Sequence, residues 1–150
     1  MADDLAGEFR SVLRIELERI GAAMVERMQQ YLQDRGRVAS GELVQSIEYE
    51  VDIASEQLIF VARADHGIYV HEGTDPHWPP TGALTGWVQR VGFAQELSIE
   101  SRDYLARKSV AETGTKATPF IQAPLEENAD RIAERLLSTI TEALNAEAAR

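Results

Sequence analysis

This 150-residue chain has no cysteine, so disulfides, thiolate metal sites and cysteine nucleophiles are all excluded. A chain of this length buries enough apolar surface to fold without such staples, which predicts a single domain over residues 1–150. Basic residues are scarce as well: 15 lysines and arginines stand against 25 acids, for a net charge of −10 and a pI near 4.7. Duplex affinity draws on lysine and arginine at the phosphates, and no basic run makes up the deficit. Sequence-specific nucleic-acid binding is therefore set aside. Long apolar runs are missing too. None approaches the ~18 residues of a membrane span, and MADDLAGEFR at the start lacks the apolar segment of a secretory signal. The expectation is a soluble, cytoplasmically made protein with no membrane partner.

What is present is mostly helical periodicity. Leu5, Phe9, Leu13, Leu17, Ile20, Met24, Met28, Tyr31 and Leu32 recur every three or four residues and predict one long amphipathic helix, stopped at DRGR by Gly36. Such a helix is long for so small a domain, which points to packing on a neighbouring subunit. Ser40 is placed to cap a short helical turn carrying Leu43. IEYEVDI alternates apolar and acidic residues, the pattern of a strand with one dry and one wet face. ASEQ turns the chain, and LIFVARA, residues 58–64, reads as the hairpin partner, apolar on both faces and so central in the sheet. IYVHEG, 68–73, reads as a third strand. After the proline-rich DPHWPPTG, Leu84, Trp87, Val88 and Val91 predict a short helix ended by Gly92, and FAQELSIES an irregular loop. RDYLARKSVAET predicts a second short helix closed by Gly114. TKATPFIQAP is extended, and Pro124 opens a terminal helix striped by Leu125, Ala129, Ile132, Leu136, Ile140 and Leu144. The predicted class is α+β: long N-terminal helix, small antiparallel sheet of three to four strands, two short helices and a long C-terminal helix.

Chemistry concentrates in HGIYVHEGTDPHWPP, which holds all three histidines, His66, His71 and His77, with Asp65, Glu72 and Asp75. These are metal-ligand types, and a metal-dependent hydrolase or metal-binding protein is the alternative they raise. Their spacing lacks the helical His-x-x-x-His pair, and on a strand His71 and Glu72 would point to opposite faces. Glu48 and Glu50 share a strand face that reads as wet, with nothing to shift a carboxylate for acid–base work. No Gly-x-Ser-x-Gly elbow occurs, and ETGTKAT follows a helix and precedes proline, unlike a phosphate-binding loop. No catalytic residue, metal ligand or cofactor emerges. The surplus helical stripe and the open edges of a small sheet instead call for neighbours. A small cytosolic regulator that closes as a dimer is a further alternative.

Taken in order, SGELVQSI, YVHEGT and GTKATPFIQA resemble the tail-completion or neck protein family of long-tailed bacteriophages, often described as minor tail or head–tail joining components. The residues that carry the resemblance are Ser40, Gly41, Leu43, Ser46 and Ile47; Tyr69, Val70, Gly73 and Thr74; and Gly114, Thr115, Pro119, Phe120, Ile121 and Ala123. The resemblance spans roughly residues 5 to 145. It implies a non-enzymatic virion protein, present as a six-fold ring of its own copies at the head-proximal tail end or neck. The implied partners are tail-tube, tail-terminator or head-connector proteins, with genomic DNA passing through unbound past an acidic surface such as Glu48, Glu50 and Asp52. Gly73, Thr74, Trp78, Pro119 and Phe120 become the candidate interface residues, Trp78 and Phe120 as aromatic anchors.

Overall fold

A computed structural model describes residues 2–37 and 41–150. Its elements in chain order are α1 (Ala2–Asp34), α2 (Glu42–Gln45), β1 (Ile47–Asp52), β2 (Gln57–Ala62), α3 (Gly67–Glu72), α4 (Thr85–Val91), α5 (Ile99–Thr113) and α6 (Gln122–Ala148). The mixture of helix and strand, with long helices at both ends, agrees with the sequence reading. The sheet does not, because it has two antiparallel strands and not three or four. The chain divides into two compact units. The first comprises Met1–Met28, Ile47–Val61 and Ile121–Arg150; the second comprises Gln29–Ser46 and Ala62–Phe120.

The first unit is built on long periodic elements. Leu13, Leu17, Ile20, Met24 and Met28 form the buried stripe of α1. It packs antiparallel to α6, as two polar ties show: Arg135 donates to Glu16, and Arg150 reaches Glu8 at 2.9 Å. Glu16 is almost fully buried, a location a carboxylate tolerates only with such a partner. On β1 the predicted alternation holds, with Ile47, Tyr49 and Val51 inward and the acids outward. Gly21 lets the hairpin approach: a Cβ there would lie 2.5 Å from the Tyr49 ring. The turn after β1 is tied by Asp52, which accepts from the Ala54 amide at 3.1 Å and from Ser55.

In this unit β2 departs from expectation. Its apolar run does not place it centrally, because β1 is its only strand partner among the described residues, and Ile59 is exposed. Two-sided apolarity marks burial by whatever packs on each face, helix included, and so does not count strands. Pro124 falls in the first turn of α6, which begins at Gln122; there its missing N–H would have had no intrahelical acceptor.

The second unit is built on short elements around Phe120, Leu32, Leu43 and Val88. Ser40, the expected cap, lies outside the described residues; Gly41 occupies the position before α2. The predicted third strand is the helix α3. Short apolar runs fit either period, and here the helical one wins because it buries Gly67 against Leu43 and Ala62. Ile68 and Tyr69 are left outward. The irregular stretch after Gly92 ends earlier than expected: Ser98 caps α5, accepting from the Ser101 amide at 3.3 Å, so SIES lies at the helix start. No helix among the described residues is long and apolar enough to cross a membrane.

Candidate functional site

The candidate interface residues all fall in the second unit, and backbone geometry brings them together. α3 ends at Gly73 and α5 at Gly114, and each glycine is followed by a threonine. Thr74 and Thr115 then pair antiparallel: each amide donates to the other carbonyl at 3.0 Å, and their hydroxyls lie 2.8 Å apart. The approach requires glycine twice. Gly73 and Gly114 have φ of 74° and 69°; a Cβ at Gly73 would lie 2.5 Å from the Thr115 carbonyl oxygen, and one at Gly114 would strike the Thr74 carbonyl. Two Gly–Thr dipeptides, 41 residues apart, thus form one clasp. The chain beyond it is fastened by the Thr118 amide, which donates to the Val70 carbonyl at 2.8 Å.

This clasp sets the fates of the two expected anchors apart. Phe120 is 1% exposed, its ring edge-on to His71 at 5.4 Å. Its side chain belongs to the core of the unit and offers no surface to a partner, which corrects the expectation of an interface anchor. Pro119 beside it is half-buried. Trp78, by contrast, is 57% exposed. It leans on Tyr104, with ring centroids 6.0 Å apart, and the Arg107 guanidinium carbon lies 6.0 Å from its ring centroid.

The residue that supports the Trp78 loop is Asp103. Its nearly buried carboxylate accepts from the amides of Gly82 at 2.9 Å and Leu84 at 3.0 Å, and from Arg107 Nε at 2.8 Å. Arg107 also donates to the Pro79 carbonyl. Burial pushes the Asp103 carboxyl up, but the Gly82 amide, Arg107 and the Leu84 amide outweigh it and hold it below the usual carboxylate range. In sequence, Asp103 and Arg107 look like any surface pair at i,i+4. Only the fold of residues 79–85 over α5 distinguishes them.

The histidine and acid cluster does not converge. His71 faces Phe120, while His77 Nδ1 lies 2.9 Å from the Asp75 carbonyl oxygen. Among the described residues no three side chains of His, Asp or Glu are grouped to hold a metal ion. Because residues 67–72 are helical, the strand argument for His71 and Glu72 pointing to opposite faces no longer applies. The arrangement can present an exposed aromatic loop, and the half-exposed Tyr104 beside Trp78 extends its apolar surface. Comparison with family models, with curated proteins and with solved structures returned no match to this chain.

Proposed function

We propose that this chain is a structural virion protein of a long-tailed phage, forming a ring at the head-proximal tail end or neck and helping to complete the tail or join it to the head. One observation carries the reading. The three segments that resemble the tail-completion family, around Leu43, around Gly73 and around Phe120, lie far apart in sequence yet pack on one another. A Cβ at Gly67 would stand 3.2 Å from Leu43 and 3.9 Å from Phe120, and the Gly–Thr clasp joins the other two segments. The exposed Trp78 beside that core supplies the kind of aromatic anchor that protein interfaces use. The net charge of −10 suits a passage through which DNA must slide without adhering.

In this reading the protein carries out no reaction, and its partners are its own copies and the adjoining tail-tube, tail-terminator or connector proteins. The test is a nonsense codon in this reading frame, in the phage or prophage that carries it, with lysates viewed by negative-stain electron microscopy. Filled heads beside detached or abnormally ended tails are expected. Normal infectious particles would overturn the reading.

A further inference from the structure

Two surfaces of the chain are complementary in charge and in apolarity. The first is a cleft of about 650 Å³ in the second unit, within the size range of binding pockets. Its floor is apolar, with Val70, Leu84 and Val110, and its polar wall holds Arg37 and Lys116 against the single acid Asp75, beside His66. Arg37 Nη2 donates to the Lys116 carbonyl at 3.1 Å, which ties the guanidinium to the cleft wall. In a chain where acids outnumber bases, this surface is locally cationic.

The second surface is a flank of α6. The helix carries six acids and two arginines. Its residues Leu125, Ile132, Leu136 and Ile140 are partly buried, but Leu144, expected to continue that stripe, is not, and Leu137 lies on the flank beside it. Leu137 and Leu144 are 66% and 61% exposed. Asp130, Leu137 and Leu144 repeat every seven residues and so lie on one line along the helix. An acidic helix with two exposed leucines seven residues apart has the form in which a helix enters an apolar groove.

Resting on the assembly reading above, we propose that copies of this chain associate head to tail, the α6 stripe of one copy seated in the cationic cleft of the next. Charge selects the partner: the cleft requires an acidic, leucine-bearing surface, and the chain itself displays one. Because stripe and cleft are different surfaces, the contact is heterologous. It leaves each copy one free stripe or cleft until a ring closes.

Sedimentation velocity of the full chain, from roughly 1 to 200 µM, reads the contact. Association is expected, weakening as NaCl approaches about 1 M, where screening cuts in at roughly 3 Å. Leu137→Ser with Leu144→Ser removes the stripe; His66→Glu with Lys116→Glu reverses the cleft. Each pair is expected to weaken self-association roughly 100-fold or more. An equimolar mixture of the two variants retains one intact stripe and one intact cleft, and is expected to form one-to-one heterodimers. All four side chains are exposed; if either double variant loses its helical circular dichroism, Leu137→Ser or Lys116→Glu alone takes its place. A wild-type monomer at every concentration would overturn the proposal, as would either variant that still self-associates. A mixture that stays monomeric would also overturn it, since a two-fold contact cannot be rebuilt that way. Either failure, alongside a defective-tail phenotype of the nonsense mutant, would sink this contact and leave the assembly reading intact.

Discussion

The two compact units reach stability by different routes. In the first, long stripes on α1 and α6 supply the core, and polar ties such as Arg135 to Glu16 fasten helices already aligned. In the second, apart from the end of α1, no element exceeds 15 residues, and the short pieces are joined through backbone: the Gly–Thr clasp, the Thr118 amide and the amides held by Asp103. Apolar stripes tolerate small shifts because side chains repack, whereas paired backbone groups lose their partners when displaced. The second unit should therefore be the less forgiving of the two.

Phe120→Ala tests that difference most severely. It empties the core of the second unit and is expected to cost about 3–5 kcal/mol in urea unfolding. Hydrogen exchange should then rise first in α3 and α5, with the first half of α1 and most of α6 more protected; a uniform loss of protection would erase the distinction between units. Gly73→Ala comes next, at roughly 2–4 kcal/mol, because the new Cβ meets the backbone of Thr115 at a φ disfavoured for alanine. Gly21→Ala in the first unit meets a side chain, the Tyr49 ring, and not backbone, and gains helix propensity, so its cost should be smaller, about 1 kcal/mol. Adding Tyr49→Val should recover it, while no side-chain change should rescue Gly73→Ala.

Acid exposes the same contrast. Asp103 in the second unit and Asp52 in the first both titrate below the ordinary value of 3.8. Asp52 is lowered by the Ser55 hydroxyl and amide. A carboxylate with a depressed folded pKa contributes its full stability above the unfolded value and loses it as pH falls through the folded one. Thermal midpoints should thus decline below about pH 4. Asp103→Asn should flatten that decline and lower the midpoint at neutral pH, and Asp52→Asn, in an exposed turn, should do less of both. The smallest effect on stability is expected for Trp78→Ala, within about 0.5 kcal/mol, because the ring is largely in solvent. Under the proposed function its consequence should be seen in assembly, as fewer joined heads and tails. Normal assembly of that variant would remove Trp78 from the interface.

The sequence was most legible where one period runs long. The stripe from Leu5 to Leu32 predicted α1, alternation from Ile47 to Ile53 predicted β1, and Gly36, Gly92 and Gly114 fell just beyond helix ends. It was least legible over a single turn. IYVHEG fitted a strand as well as a helix, and tertiary burial of Gly67 decided between them. Among the candidate interface residues, Trp78 and Phe120 looked alike as aromatics beside proline.

By itself, then, the sequence determined the long helices, the first strand and the acidic balance, along with the exclusion of thiol and disulfide chemistry. These depend on composition or on local periodicity, which a chain carries before it folds. The tertiary structure alone decided the number of strands and the helical state of 67–72. It also decided the pairing of two distant Gly–Thr dipeptides, the burial of Phe120 and the role of Asp103. Each of those depends on which groups, tens of residues apart, meet to satisfy a backbone amide or fill a core, and no local pattern encodes such a meeting.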